Sequence, residues 1–379
     1  MQMVLWLQFL CDTSSDSAVR LSALFTDRWI EVIQQAEQYQ LGPLLYHRIC
    51  ALKLEASLPS DAQQRLRHHH LIEAARCLLR ERELGTVLRT LNDVGVTPVL
   101  FKGAALAYTV YPDPICRPMG DVDLWISQSD MPRAQSALER CGYVQHHKPN
   151  RPLALQAQYY GEIQMFGTHK HQGLIELHWG VFPGEWLRRT ASVEHDAIWQ
   201  RLVPVQVAGQ AALTLAPEDN LLQLAVHQAV SHQMASPYLR TLVDVVWSAR
   251  QRPVDWNIVV ERAQAWNIRT VTWLVSRLSA DMVGLHEAEP ALARLAPSPL
   301  RRWLLGCLVN PRALLAQRDI TTSPLRFVYL LLLIDHLSDA VRLFGRALWP
   351  ESDWLVCRYG RDGLATRLNH LAGALIGKI

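Results

Sequence analysis

The sequence predicts an α+β protein in which a small mixed sheet lies between N-terminal helices and a C-terminal helical domain. Three observations point there. Apolar residues recur at helical spacing before about residue 93, short segments alternate polar and apolar residues between about 94 and 210, and helical patterning runs almost unbroken after Pro217. The expected boundaries are 1–93, 94–210 and 211–379, and 379 residues can form two or three domains with a substantial core.

The N-terminal region reads as helix most clearly from Asp61, where Leu71, Ala75 and Leu78, then Leu84, Leu88 and Leu91, repeat the i, i+4, i+7 spacing expected of one buried stripe. Arg65, His69, Arg76 and Arg80 share another side of that helix, which reads as a solvated face, with contact to substrate phosphates as the alternative. From Val96 to Phe101 a β-rich run, VTPVLF, leads into Lys102-Gly103 and a small-residue segment ending at Pro112, so strand, sharp turn and short helix follow in that order. DVDLWI (121–126) and LIELHW (174–179) alternate like half-buried strands, VPVQVAG (203–209) predicts a further strand, and a helix is expected between Asp130 and Cys141 with Ala134, Leu138 and Cys141 on one side. Pro217, Glu218 and Asp219 mark a helix start, where the helix dipole favours acids. PYLRTLVDVVW, 255–265, 270–283 and the apolar segment 324–348, closed by Pro350, continue the helical series.

Composition excludes several classes. Hydrophobic residues are 49% and charged residues 19%, which disfavours disorder, and a net charge of +3 gives no bulk field for a polyanion, so any polyanion site must be local. Seven scattered cysteines without a C-x-x-C fit reduced thiols better than a disulfide framework or zinc cage. The apolar run 4–10 lacks a basic flank and a cleavage site, and the longest apolar stretch, VYLLLLI (328–334), is far short of the roughly 20 residues of a membrane span. A cytoplasmic protein without a membrane partner is expected.

The chemistry concentrates in the middle. A period of two puts Asp121 and Asp123 on one face of their strand with Cα atoms about 6.6 Å apart, a spacing that suits oxygen ligation of hard divalent cations such as those that clamp phosphoryl displacement. Alone, D-x-D is a weak signal. Gly103, at a helix start after a strand, can let a phosphate approach free backbone N–H groups. Lys102 and Arg117 flank the unit with cations, although Arg117 could equally bridge to Asp113 or Asp121. Glu176, facing away from Ile175 and Leu177 on the later strand, supplies a third carboxylate.

The segment LFKGAALAYTVYPDPICRPMGDVDLWI resembles the signature of the uncharacterised nucleotidyltransferase family of the polymerase-beta-like superfamily. GPLLYHRI (42–49), IELHW (175–179), LAPEDNLLQLAVHQA (215–229) and LWPESDWLVCRYG (348–360) are similar to segments expected there in the same order, so the resemblance covers nearly the whole chain. It implies a nucleotidyltransferase core in which Asp121, Asp123 and Glu176 bind two Mg²⁺ ions, with Mn²⁺ as a substitute, while Lys102 and Gly103 hold a nucleoside triphosphate. A hydroxyl or phosphate of an acceptor then attacks the α-phosphorus in line and pyrophosphate leaves. The superfamily's usual Gly-Ser pair is replaced by Lys102-Gly103, and the third acid is Glu instead of the commoner Asp.

Around this centre, His178 shares the face of Glu176 and either orients it or meets a phosphate. Lys170, next to His169, resembles a phosphate-binding lysine of toxin-type relatives. His227 is flanked by apolar residues, as a core histidine would be, though the family tends to have a histidine there. Arg240 and Asp244 stand at i, i+4, the spacing of an ion pair, and could line a cleft between domains. The resulting expectation is a Mg²⁺-dependent nucleotidyltransferase acting on a small-molecule, protein or tRNA acceptor. A catalytically idle nucleotide-binding scaffold and a toxin-type tRNA nucleotidyltransferase are the alternatives, and near-neutral charge disfavours a large RNA substrate. The sequence leaves the oligomeric state open.

Overall fold

Alternation in the central region builds one sheet, and the helical segments at both ends close over it. The computed structural model describes residues 2–12, 29–146, 152, 155, 159, 161–182, 184–235, 238–315 and 325–375. Pro237 and Pro324, which begin two of the expected helical segments, lie outside them. The N-terminal helices are α1 (Gln2–Cys11), α2 (Trp29–Gln38), α3 (Gly42–Ala51) and α4 (Ser60–Asp93). The core follows as β1 (Val99–Leu100), α5 (Lys102–Thr109), β2 (Asp121–Trp125), α6 (Met131–Arg140), β3 (Tyr143–His146), β4 (Glu162–Gly167), β5 (Leu174–His178), α7 (Glu185–Thr190), α8 (His195–Gln200), β6 (Val203–Val207) and β7 (Gln210–Thr214). The C-terminal helices include α9 (Pro217–Val226), α10 (Tyr238–Gln251), α11 (Trp256–Ala265), α12 (Arg269–Val283), α13 (Glu289–Leu295), α14 (Pro299–Leu308), α15 (Pro311–Leu315), α16 (Leu325–Leu332), α17 (Leu337–Leu348), α18 (Ser352–Tyr359) and α19 (Leu364–Leu375).

The fold is α+β with a seven-stranded mixed sheet in the order β3-β4-β5-β2-β1-β7-β6. β2 and β5 run parallel, as do β1 and β7, and the other neighbours are antiparallel. The expected strand at Val96 shrinks to two residues, β6 stops at Val207, and β3, β4 and β7 are strands beyond those expected. One face of the sheet presents Val122, Leu124, Ile175 and Leu177 to Leu84, Leu88 and Leu91 of α4 and to Ala134 and Leu138 of α6. The other face, with Trp125 and Phe101, joins a larger core shared by the N-terminal helices and the C-terminal ones.

Helix α4 departs from the single-stripe reading. Leu84, Leu88 and Leu91 are buried, but Leu71 and Leu78 are 57% and 68% exposed, and Ala75 is exposed as well. The two triplets are out of phase: six residues separate Leu78 from Leu84, a turn of about 600°, so the second stripe emerges about 120° away from the first. Followed backwards at helical spacing, the buried stripe instead passes Arg80, Cys77, Glu73, His69, Leu66 and Ala62. Its ends are apolar and buried, its middle is polar, and that middle faces inward rather than to solvent.

The segment 324–348 is two helices, broken at Leu333–His336. The break has a use, because Asp335 accepts hydrogen bonds from the backbone N–H of Arg269 (2.7 Å) and Thr270 (2.9 Å), capping the start of α12. Asp219, in the first turn of α9, is gripped by Arg201 and Arg262. None of the seven cysteines is in a disulfide, and among the described residues no helix is long and apolar enough to cross a membrane.

Arg117, between α5 and β2, forms a two-pronged ion pair with Asp244 of α10 (2.7 and 2.9 Å), and Tyr111 donates to the same carboxylate at 2.6 Å. The expected partners of Arg117, Asp113 and Asp121, and the expected Arg240–Asp244 pair are therefore both replaced. Helix α10 packs its Asp244 directly onto the segment leading into β2, so the cation from the sheet reaches it first. All three side chains are buried, so removing one partner leaves an uncompensated charge. Asp244→Ala is expected to lower unfolding free energy by about 3–5 kcal/mol; a urea midpoint unchanged from the parent protein would contradict this.

Candidate active site

Three strands line up the polar side chains. Asp123 of β2 is directly opposite Glu176 of β5, which is opposite Gln164 of β4; one step along, His178 of β5 is opposite Glu162 of β4. Because side chains alternate, these groups share the sheet face turned away from Leu124, Ile175 and Leu177. β1 brings in the cation: its last residue is followed by Phe101, and then Lys102 opens α5. Lys102 has φ +53°, a left-handed conformation uncommon for a residue with a side chain and of a kind found at functional sites at a cost of about 1–3 kcal/mol.

The Lys102 ammonium donates to Asp123 Oδ1 at 2.5 Å and lies 4.9 Å from the Phe101 ring centroid. His178 Nε2 is 2.9 Å from the same Oδ1 and 3.6 Å from Glu176 Oε2, while Gln164 donates to Glu176 Oε1 at 2.5 Å. Lys102, Asp123 and His178 are buried; Asp121 and Glu176 are half-buried and form the accessible side of the cluster. Burial opposes ionisation of Asp123, yet Lys102 and His178 hold its carboxyl well below the usual carboxylate range. At Asp121 burial acts first and the charges of Asp123 and Glu176 add to it, so its proton affinity is raised despite Lys102 and Arg240. Burial and Lys102 work against the His178 imidazolium, but hydrogen bonds to Asp123 and Glu176 carry it above the ordinary histidine value.

Asp123, Glu176 and His178 each offer a ligand atom within 4.8 Å of the others, a donor set compatible with a divalent cation. Asp121 lies outside this tight group, one step along the same strand face. The chemistry of the donors fits such an ion: Asp123 Oδ2 and both Asp121 oxygens take no part in the hydrogen bonds that organise the cluster, and Glu176 Oε2 has only the long 3.6 Å contact with His178. Carboxylate oxygens suit a hard cation, and the imidazole broadens the choice towards transition metals.

The other expected site residues have different surroundings. A Cβ on Gly103 would meet Arg117 Nη1 and Met119 Cβ at 3.6 Å, so an arginine side chain already borders that position. Lys170 is exposed in the β4–β5 turn, where it lines a cavity and not the acid cluster. Arg240 donates to Gln40 Oε1 and to the Pro118 carbonyl, and burial beside Arg117 pushes it down to about 10. His227 begins a π-helical turn, His227–Ser231, and its Nε2 is 2.8 Å from His232 Nε2; burial and then the charge of Lys102 hold it well below the usual histidine value.

Three side chains of the region, Glu162, Gln164 and Glu83, were not identified from the sequence, and a fourth, Arg80, was placed there only on a solvated face or against substrate phosphates. Glu162 and Gln164 belong to EIQMFG, whose alternation is as clear as that of the other two strands. Arg80 and Glu83 of α4 tie down the starts of the acid-bearing strands: Arg80 donates to the Gly120 carbonyl at 2.7 Å, and Glu83 accepts from the Gly173 N–H at 2.6 Å and from Tyr143 at 2.7 Å. The signal for Arg80 was its place on the buried stripe of α4, and Glu83 lies beside that stripe, one residue before Leu84.

The sequence model of an uncharacterised nucleotidyltransferase family matches residues 26–284, and the chain belongs to that family. No curated protein matches the chain. Family membership supports nucleotidyl transfer as the general chemistry and a nucleotide as a substrate.

His178's raised pKa means that its contribution to stability is complete below the ordinary value of 6.5 and is lost as pH rises through the raised value. Glu176→Gln removes one of the two acceptors that sustain the charge. In metal-free protein, the His178 ring followed by ¹⁵N-edited NMR is therefore expected to titrate above 6.5 and to move down in Glu176→Gln; a ring already neutral at pH 6 in the parent protein would refute the arrangement.

Proposed function

We propose that the protein transfers a nucleoside monophosphate from a nucleoside triphosphate to a hydroxyl or phosphate of an acceptor, releasing pyrophosphate. The observation that supports this best is the register Asp123–Glu176, which sets two carboxylates side by side with Asp121 on the same face and Lys102 against them. Asp121, Asp123 and Glu176 would hold Mg²⁺, two ions in the full form, with Mn²⁺ able to replace it. Bound there, the metal would offset charge on the triphosphate and on the attacking oxygen. The protein's own part is positional. Gln164 and His178 fix the rotamers of Glu176 and Asp123, and Lys102 keeps Asp123 ionised in a site that burial would otherwise protonate.

In the reaction, an acceptor oxygen bonds to the α-phosphorus while the bond to the β-phosphate bridging oxygen breaks, and pyrophosphate leaves with that electron pair. A hydroxyl acceptor releases its proton to solvent at the open Asp121 end of the cluster. Lys102 and the Gly103 end of α5 are the elements best placed to meet the triphosphate. For Lys102 this requires sharing its ammonium between Asp123 and a phosphate oxygen.

A second reading, a nucleotide-binding scaffold without turnover, draws on that same ion pair, since Asp123 already has a cation and an imidazole on one oxygen. Pyrophosphate release from each of the four NTPs with Mg²⁺, across small-molecule, protein and tRNA acceptors, separates the two. The transferase reading expects metal-dependent release that falls at least about 100-fold in Glu176→Gln, since loss of a ligand costs no less than the roughly 10–100-fold lost with a partner that only orients one. Metal-dependent NTP binding with no release for any acceptor would favour the scaffold, and the absence of both would sink the nucleotide assignment.

A further inference from the structure

The polar middle of α4's buried stripe faces a cavity of about 580 Å³ that the acid cluster does not line. Its walls are α4, the loop Pro114–Gly120 and the β4–β5 turn Lys170–Gly173. A helix face that is apolar at both ends and carries His69, Glu73, Cys77 and Arg80 between them incurs a desolvation cost that apolar residues would avoid. Two nitrogens of these side chains lack a hydrogen-bond partner but are packed away from the open space, His69 Nδ1 against Gly42 and Arg80 Nη1 against Gly173 with Glu83 Oε2 3.6 Å away, so it is the remainder of each side chain that borders the cavity. At Gly173 a Cβ would come within 2.1 Å of Arg80 Nη1, so the guanidinium occupies a space that only glycine leaves open.

The cavity's charge has a sign. Four lining residues are Arg or Lys (Arg76, Arg80, Arg117, Lys170) against two carboxylates, Glu37 and Glu73. Glu37 is engaged by Arg65 and Glu73 by Arg76, while Arg117 is matched by Asp244. Arg80 and Lys170 therefore carry the field into the cavity, tempered by Glu83 at 3.6 Å from Arg80. Position matters as much as charge. Gly120 and Gly173, both in the lining, immediately precede β2 and β5, so this end of the cavity abuts Asp121, the accessible edge of the acid cluster.

We infer that this cavity is the acceptor site, and that the acceptor is a small molecule carrying an anionic group, a phosphate or a carboxylate, gripped by Arg80 and Lys170. The inference rests on the transferase reading above and narrows its acceptor. The anion anchors at the α4 side and leaves the acceptor's nucleophilic oxygen free to reach past Gly120 to the α-phosphorus; the bonds made and broken are those already given. About 580 Å³ admits a small ligand whole, whereas a folded RNA or protein would need an extended surface.

The test titrates inorganic phosphate, as the probe of the anion grip, into the full-length protein by calorimetry, alone and with saturating Mg²⁺ and a non-hydrolysable NTP. Phosphate is expected to bind, to weaken about tenfold in Lys170→Gln, roughly the loss of one charge-assisted contact, and to remain bound when nucleotide is present. Arg80→Gln should weaken it further, but that change also loosens β2 and β5, so the exposed Lys170 variant is the decisive one. No phosphate binding, or binding indifferent to Lys170→Gln, overturns the anion site. Displacement of phosphate by the nucleotide overturns the acceptor role, since the cavity would then belong to the triphosphate. If phosphate binds as expected but Mg²⁺–NTP does not, the anion site stands and the transferase reading fails, and the acceptor role falls with it.

Discussion

An ammonium and a carboxylate, both withdrawn from water and 2.5 Å apart, form the contact on which the central arrangement depends. Lys102 opens α5 just past β1, and Asp123 is the middle residue of β2, the antiparallel neighbour of β1, so their pairing fixes where α5 begins relative to β2. Neither charge could be buried alone, because desolvation would neutralise it; together, and with His178 on the same oxygen, they stay ionised. The unusual backbone of Lys102 follows from this. A side chain leaving a left-handed position directs its ammonium back across the sheet instead of along the helix, and the ion pair offsets the conformational cost.

Around that contact the sheet provides register and the helices provide closure. The parallel pair β2–β5 places the acids, β4 fastens Glu176 from behind, and α4 holds the first residues of both strands through Arg80 and Glu83. From the opposite side, α10 fastens the loop before β2 through Asp244. The loop Arg117–Gly120 is thus held from two directions, and it separates the acid cluster from the cavity beside α4. A shift in either helix would be felt at Asp121 before anywhere else in the cluster.

Much of this was legible in the chain. The strands carrying Asp121, Asp123 and Glu176 stood out because one face of each is apolar and the other is not, and the start of α5 was marked by the change at Lys102-Gly103. Long-range pairings were not legible: nothing local tells Arg117 to choose Asp244, 127 positions away, over Asp113 or Asp121. β4 was missed although EIQMFG alternates like the other two strands, because over so short a run alternation alone is a weak signal and no pair of carboxylates marks it. The face of α4 was misread for a different reason. Leucines at 71 and 78 match the expected spacing, but a stripe is defined by its phase along the whole helix, and the phase set by Leu84, Leu88 and Leu91 leads through charged residues that hydrophobicity alone discards.

The break between α16 and α17 bears on where this protein can be divided. The family match ends at residue 284, yet the opening N–H groups of α12, which lies inside the match, are satisfied by Asp335, far beyond it. A chain cut at the edge of the family segment would leave that helix end bare, and α12 packs in the core that backs the sheet. The C-terminal helices are therefore a structural dependency of the segment the family defines, and not a detachable appendage to it.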